Sequence, residues 1–471
     1  MTDALPLKPA PGMPAANSAT AQVRDLFTKQ SKRQRWLDVE AALAVAEARL
    51  GIVPEEAART IVQNARLELL DEAELDAQER VTGHVMVPLI RELSRVTGPE
   101  AGGWVHWGAT TQNIQQTGDT VGIIKVLDAV EAQTVRVIRT LADLARTHAD
   151  TLMAGRTHWQ QAVPITFGYK AACWLDPMLR HLTRLHELRP RLGVSMTGGA
   201  AGTFATFGEQ GPKVQEFVAQ EMGLVPMPLP GRGIVDHFAE FVSVLAMMAA
   251  SSSQIAGEVS RLMAIEFGEL SEEIPPGDIG SSTMPQKRNP KLSGGVVTNA
   301  AIVQAAAPMA LEAMIQSHEV DGARSALMDH AVMTAAVHGT ETLSLLGELL
   351  EGLHVFPEKM KDNLALTHGL ISAEAMMMSL AGFVGRQAAH DIVHHAATEA
   401  VTAGTDFLEV LRKDTRITEV LAEDELGRLL DPARHAGLSA QLAHETVARA
   451  EQLLLDDGTA FISRATQTIS G

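Results

Sequence analysis

Long runs of helical periodicity are the feature that most limits the folds open to this chain. Five of them are predicted, at about Asn113–His148, Pro164–Arg189, His237–Phe267, Ser293–Ser317 (interrupted at Pro308) and His330–Leu353. At 1.5 Å per residue, a helix of roughly 25 residues is about 35–40 Å long, which exceeds the usual globular helix. Such lengths predict a helical bundle whose core continues from one subunit to the next.

The segment before these helices predicts a smaller helical region. One amphipathic helix is expected from about Val23 to Leu50, with Gly51 ending it as a C-cap. Its predicted inward face consists of Trp36, Leu37, Val39, Ala42, Leu43 and Ala46. Residues Met1–Ala21 are rich in Ala, Pro, Thr and Ser and lack the apolar core of a signal peptide, which predicts a disordered arm.

Composition favours helices over strands throughout the chain. Aromatic residues make up only 4% of the 471 residues, whereas strands are enriched in aromatic and β-branched side chains. After Pro357 the predicted helices shorten, with breaks near Gly404, Asp431–Pro432 and Gly437. We therefore predict an all-α fold with an arm at 1–21, an N-terminal helical domain at 22–110, a central helical bundle at 111–360 and a C-terminal helical domain at 361–471.

Charge and cysteine content exclude several functions. The formal net charge of -18 argues against nucleic acid as a general partner, because neutralising phosphates requires a basic face. The lone Cys173 excludes an internal disulfide and fits a reducing cytoplasm. The most apolar run, Phe241–Ala250, is followed by Ser251–Gln254 and is too short to cross a bilayer. We therefore expect a soluble, cytoplasmic protein that binds no membrane.

The segment Gly280–Pro290, with the sequence GSSTMPQKRNP, is chemically the most distinctive in the chain. Pro275, Pro276 and Gly277 precede it and predict a loop. Its cationic side chains, in an acidic protein, are typical of an anion-binding loop. A solvated surface turn explains the same composition, because short loops are commonly polar.

Two further polar segments lie at predicted breaks between helices. The first, Trp104–Asn113, ends in hydroxyl and amide side chains just before a long helix. These side chains either cap that helix or, with the free N–H groups of its N-terminus, hold a carboxylate. The second, Gly155–Gln161, contains His158, which is either a general acid or base near neutral pH or a structural residue of the turn.

The sequence predicts no metal and no cofactor. His390 and His394 are four residues apart, but no carboxylate pattern accompanies them, and a helix face is the simpler interpretation. The glycines of Thr197–Gly202 do not form a GxGxxG pattern after a strand, so they predict a tight turn or a close helix approach rather than a dinucleotide site.

Together the three polar segments resemble the signature motifs of the fumarase/aspartase superfamily, which includes adenylosuccinate lyase, argininosuccinate lyase and 3-carboxy-cis,cis-muconate cycloisomerase. The 280–290 loop resembles its highly specific GSSxMPxKxNP motif, Thr157–His158 its second motif and His106–Gln112 its first. The likeness covers roughly Val23 to Gln452. It implies a three-domain, all-α fold that forms a 20-helix core in a homotetramer, with each active site shared between subunits.

The resemblance also implies a role for each matching residue. Ser281 is the implied general base on a mobile loop, and it removes a proton from the carbon next to a carboxylate to give an aci-carboxylate. His158 is the implied acid that protonates a leaving nitrogen, and Lys287 stabilises the dianion. The implied substrate-binding residues are His84, Thr110, Thr111, Gln112, Thr157, Gln161, Ser282, Lys287, Asn289 and Arg324. The implied substrate is a small anionic carboxylate.

Variations in the motifs divide the resemblance between two branches. The histidine of Gly83–Ile90 is similar to one in adenylosuccinate lyase, but Val85 stands where that segment has an aspartate. Three other segments are closer to the cycloisomerase: Val87–Ile90, His106–Thr110 and Leu430–Pro432. His158, however, stands where bacterial cycloisomerases tend to have a tryptophan, so the lyase-type acid is retained.

Three substitutions bear on the substrate and on the orientation of His158. Val320 and Asp329 replace both arginines of the phosphate-binding stretch of adenylosuccinate lyases. Nucleotide substrates are therefore predicted to be poor, and Arg324 to serve a smaller anion. Gly294 replaces a glutamate that orients the histidine in many members. Either another carboxylate such as Glu319 takes over this task, or the histidine has a different role.

Three functional hypotheses follow from the resemblance. The leading one is a cofactor-free lyase that eliminates an amine from an N-substituted aspartate or a related succinyl compound and releases fumarate. The alternative is a lactonising enzyme of the 3-carboxy-cis,cis-muconate cycloisomerase type. An adenylosuccinate lyase is disfavoured by the missing arginines, and a non-catalytic relative by the retention of the motif residues.

Overall fold

The chain is predominantly helical in a computed structural model that describes residues 18–273 and 281–467. Helices make up 71% of it, which confirms the predicted all-α class. The homotetramer stays a prediction. The predicted loop residues Pro275, Pro276, Gly277 and Gly280 lie outside the described residues, as do residues 1–17 of the predicted arm, whereas residues 18–21 begin the first helix.

Nineteen α-helices and six short strands are present in the described ranges. The helices are α1 (Ser18–Leu26), α2 (Lys29–Arg49), α3 (Glu55–Asn64), α4 (Glu72–Thr82), α5 (Met86–Thr97), α6 (Pro99–Gly102), α7 (Thr111–Thr147), α8 (Phe167–Leu192), α9 (Gly211–Glu221), α10 (Asp236–Leu262), α11 (Lys291–Ala313), α12 (Gly322–Glu351), α13 (Pro357–Ala365), α14 (Ala373–Val384), α15 (Arg386–Ala403), α16 (Phe407–Leu411), α17 (Thr415–Thr418), α18 (Glu423–Leu429) and α19 (Ser439–Gln467). The strands form three pairs: β1 (Leu152–Thr157) antiparallel to β2 (Gln160–Thr166), β3 (Val194–Ser195) parallel to β4 (Val225–Pro226), and β5 (Leu270–Ser271) antiparallel to β6 (His354–Val355).

The chain divides into two compact units. The first unit consists of the residues up to Thr134, His181–Ser253 and Gly295–Leu345, and the second of Val135–Arg180, Gln254–Gly294 and the residues from Leu346 onwards. Each of the five longest bundle helices (α7, α8, α10, α11 and α12) contributes residues to both units. These units are not consecutive in sequence, unlike the domains at 22–110, 111–360 and 361–471, which stay a prediction.

In the first unit, α2 packs against α3 and α9. All six residues predicted to face inward on this helix are buried, which confirms that prediction. The expected single helix from Val23 to Leu50 is divided at Thr28, whose hydroxyl accepts the N–H of Ser31 and caps α2. Gly51 follows the helix with a φ of +70°, the left-handed conformation that favours glycine at this position.

The five long helices were correctly predicted from their periodicity, and in the first unit their side chains interconnect. Glu131 of α7 pairs with Arg189 of α8 at 2.9 Å, and Asn299 of α11 bonds to His338 of α12 at 2.7 Å. Pro308 lies inside α11 and does not interrupt it, so that expectation was wrong.

By length and composition alone, α10 and α11 are apolar enough to cross a membrane, and the bent pair Pro357–Ala365 and Leu370–Val384 is a third such segment if counted as one span. Phe241–Ala250 was predicted to be too short to cross a bilayer, but it is part of the 27-residue helix α10, so that prediction was wrong with respect to length. The helix continues through the serines, and the Ser252 hydroxyl donates to the carbonyl of Met248 within it at 2.9 Å. In the most apolar window of α10, 56% of the residues are buried within the protein.

The second unit contains a β-hairpin, β1–β2, that the sequence did not predict. Strand β1 packs against α13, and β2 contacts α19. The helices after Pro357 are short as expected, with the predicted breaks at Gly404, Asp431–Pro432 and Gly437, but the last helix, α19, is 29 residues long.

Candidate active site

The twelve residues predicted to form the active site are divided between the two units. The first unit holds His84, Thr110, Thr111, Gln112 and Arg324, and the second holds Thr157, His158, Gln161, Ser281, Ser282, Lys287 and Asn289. Within each unit the structure brings some of them together with residues that the sequence did not single out. Their catalytic and binding roles stay predictions.

Ser281 stands at the start of a turn whose backbone donates to its hydroxyl. The N–H groups of Thr283 and Met284 point at Ser281 Oγ at 3.3 and 3.0 Å. Hydrogen bonds of this kind are typical of serine in turns, and they also favour a negative charge on the oxygen that accepts them. Ser282, Lys287 and Asn289 are exposed on the same loop.

Glu272 ties the segment before this loop to the helix after it. Its side chain is only 4% exposed, and its carboxylate accepts the N–H of Leu292 at 3.0 Å and of Ser293 at 2.8 Å. These two N–H groups belong to the first turn of α11, which lacks intrahelical acceptors for them. No local pattern in the sequence indicates this contact, because the partners are 20 and 21 positions apart.

His158 lies at the tip of the β1–β2 hairpin, not in a simple turn between two long helices as predicted. Thr157 pairs with Gln160, and the two residues between them, His158 and Trp159, have φ values of 48° and 68°. Positive φ at both central residues matches the tight hairpin turns that usually contain Asn-Gly. Such conformations cost non-glycine residues about 1–3 kcal/mol each, and they cluster at functional sites.

The tip of the hairpin is exposed to solvent. Trp159 is 77% exposed, and the guanidinium carbon of Arg261 lies over its ring, 5.7 Å from the centroid. His158 makes no side-chain hydrogen bond or ion pair with any residue in the described ranges. Its imidazole therefore remains available to a ligand.

A buried polar network fixes the base of the hairpin. Arg156 binds the fully buried carboxylate of Glu269 through two hydrogen bonds, of 2.9 and 2.6 Å. The side-chain amide of Asn363 donates to the same carboxylate at 2.7 Å, and the backbone carbonyl of Asn363 accepts from Gln161 Nε2 at 3.0 Å. Gln161 Oε1 is buried without a hydrogen-bond partner among the described residues. Arg156, Glu269 and Asn363 were not predicted from the sequence.

At the start of α7, the buried side chain of Asn113 accepts hydrogen bonds from two backbone N–H groups. Its side-chain oxygen accepts the N–H of Thr110 and of Gly199, both at 3.1 Å. The hydroxyls of Thr110 and Thr111 have no hydrogen-bond partner among the described residues, so these threonines do not cap the helix. Asn113 therefore fits the interpretation that this segment caps the helix, whereas the hydroxyls of Thr110 and Thr111 remain available to a ligand.

Gln112 forms a reciprocal pair with Arg232, a residue that the sequence did not identify. Arg232 Nε donates to Gln112 Oε1 at 2.8 Å, and Gln112 Nε2 donates to the carbonyl of Arg232 at 3.1 Å. Arg232 Nη1 donates to the carbonyl of Ala200 at 2.8 Å. Within the described part of the chain no carboxylate lies within 4 Å of this guanidinium, and burial lowers its pKa.

His84 and Arg324 both have partners within the first unit. His84 Nδ1 accepts the N–H of Met86 at 3.2 Å and of Val87 at 3.3 Å, at the start of α5. Arg324 pairs with Glu312 at 2.5 Å, which compensates its charge. Gly294 has no side chain to orient a histidine, and it is exposed, with nothing within 4 Å of where a side chain would begin.

His390 and His394 lie one turn apart on α15 with their ring centroids 6.0 Å apart. In the residues that the structure describes, no group of three or more His, Cys, Asp or Glu side chains is placed to hold a metal ion.

Comparisons with protein families match most of the chain. A family model described as lyase matches residues 15–304, and one described as adenylosuccinate lyase C-terminus matches residues 369–450.

Individual proteins of known activity are similar over nearly their whole length. The 3-carboxy-cis,cis-muconate cycloisomerase of Pseudomonas aeruginosa is 40% identical over 88% of this chain and 92% of its own. The N-acetyl-S-(2-succino)cysteine lyase of Dickeya dadantii is 34% identical over 95% of this chain and 97% of its own. Among solved structures, a fumarate lyase from Mesorhizobium sp. BNC1 is similar with a TM-score of 0.86 and 37% identity, over 92% of this chain and 100% of its own.

Proposed function

The chain belongs to the fumarase/aspartase superfamily, in the branch of adenylosuccinate lyase and 3-carboxy-cis,cis-muconate cycloisomerase, and on that premise we propose that it eliminates an amine from an N-substituted aspartate or a related succinyl compound to release fumarate. It is an enzyme of that superfamily, and the superfamily acts on carboxylates. Its relatives are named as enzymes, and we propose that this chain is soluble. The cytoplasm and the homotetramer with shared sites stay predictions.

The observation that carries the proposal is the pair of N–H donors at Ser281 Oγ. A serine is a poor base unless its alkoxide is stabilised, and N–H groups aimed at the oxygen provide such stabilisation without a counter-charge. In the proposed reaction Ser281 takes a proton from the carbon next to a substrate carboxylate. The electron pair passes into that carboxylate as an aci-carboxylate, which Lys287 stabilises.

Collapse of the aci-carboxylate forms the double bond of fumarate and breaks the bond to the leaving group. His158 donates a proton to the leaving nitrogen, so that fumarate and an amine are released. The open position of His158 at the hairpin tip supports this role, because a general acid must reach the substrate. Asn289, Thr110 and Thr111 are proposed to hold the carboxylates, assisted by Ser282 and Thr157, while Gln161 positions the substrate.

Lactonisation of a carboxymuconate is the second candidate. The similarity to the Pseudomonas cycloisomerase and the likeness of the His106–Thr110 segment favour it. Ser281 would then exchange a proton with a carbon of the substrate while a carboxylate is added to, or expelled from, the conjugated acid. An adenylosuccinate substrate is disfavoured, because Val320 and Asp329 supply no cation for its phosphate and Arg324 is already paired with Glu312.

A substrate screen tests the proposal. The purified protein is incubated with fumarate plus a panel of amines, with 3-carboxymuconate and with adenylosuccinate, and products are identified by NMR. We expect fumarate to be consumed with an amine and Ser281→Ala to abolish that reaction. Turnover of 3-carboxymuconate without any fumarate chemistry would establish the second candidate instead, and efficient cleavage of adenylosuccinate would refute the argument from the missing arginines.

A further inference from the structure

Arg232 differs from the other candidate cation of the first unit in having no counter-charge. Arg324 is paired with Glu312, whereas the guanidinium of Arg232 touches only the neutral oxygens of Gln112 and Ala200. Its second terminal nitrogen, Nη2, has no hydrogen-bond partner among the described residues. A half-buried cation without an anion is unfavourable by itself, because desolvation is not offset by an ion pair.

The chain is built closely around this side chain. The glycine-rich segment 197–202, predicted only as a tight turn or close approach, packs directly on the residues that precede Arg232. A Cβ at Gly202 would lie 2.4 Å from the carbonyl oxygen of Pro230, and one at Gly198 would lie 2.7 Å from the ring of Pro230. These glycines allow the carbonyl of Ala200 to reach the guanidinium, which fixes the side chain on one side.

Gln112 fixes the same guanidinium on the other side. The reciprocal bonds between Gln112 and Arg232 hold both side chains in one orientation. Gln112 is next in sequence to Thr111, whose hydroxyl has no partner among the described residues. The neighbourhood thus combines an uncompensated cation with unused donors, which is the combination that binds a carboxylate.

We propose that Arg232, held by Gln112 and Ala200, binds a carboxylate of the substrate and is the main determinant of the preference for a dianion. The proposal rests on the proposed function in taking fumarate-releasing succinyl compounds as substrates. It assigns to Arg232 the anion-binding task that the sequence suggested for Arg324. Because guanidinium donors match two carboxylate oxygens, replacing the carboxylate by a neutral amide should remove most of the benefit.

Equilibrium dialysis with labelled fumarate and with its monoamide, fumaramate, tests the proposal on the full-length protein. The variants are Arg232→Gln, Arg232→Lys and Gln112→Glu, with Arg191→Gln as control. Arg191 is an exposed arginine paired with Glu240 in the same unit, so its loss changes the net charge equally. Native mass measurement and circular dichroism confirm that each variant is folded.

We expect Arg232→Gln to weaken fumarate binding about 10- to 100-fold, as for loss of a charge-assisted contact. Fumaramate binding should change much less, Arg232→Lys should recover part of the affinity, and the Arg191 control should bind as the wild type does. Gln112→Glu places a carboxylate against the guanidinium and should weaken fumarate binding even if Arg232→Gln fails to fold. Equal losses for fumarate and fumaramate, or wild-type affinity in Gln112→Glu, would overturn the proposal.

The two proposals fail in distinguishable ways. If Arg232 controls fumarate binding but no succinyl substrate releases fumarate, the proposed function fails and the carboxylate site stands. If a succinyl substrate is cleaved and Arg232→Gln leaves both KM and fumarate affinity unchanged, only the assignment of Arg232 fails. A wild-type protein that neither binds fumarate nor releases it would overturn both.

Discussion

Ser293 donates its backbone N–H to the carboxylate of Glu272 at 2.8 Å, although the partners stand 21 positions apart with the 280–290 loop between them. Leu292 donates to the other carboxylate oxygen at 3.0 Å. The chain entering the loop and the helix leaving it are thus joined by one buried side chain. This contact fixes the separation of the loop ends by geometry, whatever conformation the loop itself adopts.

Removing this contact should affect both stability and turnover. Glu272→Ala leaves the buried N–H of Ser293 and the partly buried N–H of Leu292 without acceptors, which we expect to lower the free energy of unfolding by about 1–3 kcal/mol. Turnover should fall as well, because the loop that carries Ser281 loses its anchor. Urea unfolding and steady-state kinetics measure the two effects, with the exposed neighbour variant Glu273→Gln as control. Unchanged stability in Glu272→Ala would show that the contact contributes nothing.

The loss of rate on replacing His158 should increase with the basicity of the leaving group. We expect His158→Gln to slow elimination of an amine about 10²- to 10⁴-fold, the usual range for loss of a general acid. A thiol leaving group departs as a stable thiolate and should be affected much less. Because the imidazole is at an open hairpin tip, the variant should unfold at the same urea concentration as the wild type. Equal slowing of amine and thiol substrates would argue against a role as proton donor.

Glu269 should be essential to the hairpin that carries His158. Glu269→Gln leaves the largely buried Arg156 without its carboxylate, and breaking a buried pair on one side typically costs about 3–5 kcal/mol. The double variant Arg156→Met/Glu269→Leu should recover most of this loss, because no buried charge then remains unpaired. Urea unfolding compares both with Glu266→Gln, an exposed position nearby. A single variant as stable as that control would contradict the structural role of the pair.

The sequence was a good guide to the long helices and a poor guide to what supports the candidate site. Helical periodicity over two dozen residues is a repeated signal, so α7 and α12 were predicted even though their ends were misplaced by one to eight residues. The β1–β2 hairpin lacks the Asn-Gly turn that would have indicated it. His158 and Trp159 adopt left-handed backbone conformations there that propensity alone does not predict.

Partners distant in sequence explain the remaining misses. Gln112 and Arg232 are 120 positions apart, and Arg156 and Glu269 are 113 apart. No local pattern connects such pairs, since only the packing of the helices brings them together. The motif residues Ser281 and His158 could be identified from the sequence because a family resemblance marks them, whereas their supporting residues carry no such mark.

Glu47 provides a prediction that does not depend on the substrate. This residue of α2 is fully buried, neither of its carboxyl oxygens has a partner among the described residues, and burial together with the nearby charge of Glu40 raises its pKa to about 8. Between the ordinary pKa of 4.5 and about 8 the folded protein therefore holds a proton that the unfolded chain has released. The contribution of Glu47 to the free energy of unfolding is complete below pH 4.5 and falls by up to about 1.4 kcal/mol per pH unit as the pH rises from there to about 8.

Because glutamine does not titrate, the free energy of unfolding of Glu47→Gln should rise relative to that of the wild type from pH 5 to pH 8, whereas the exposed Glu55→Gln control should follow the wild type. Parallel stability curves for Glu47→Gln and the wild type would mean that Glu47 is ionised in the folded protein.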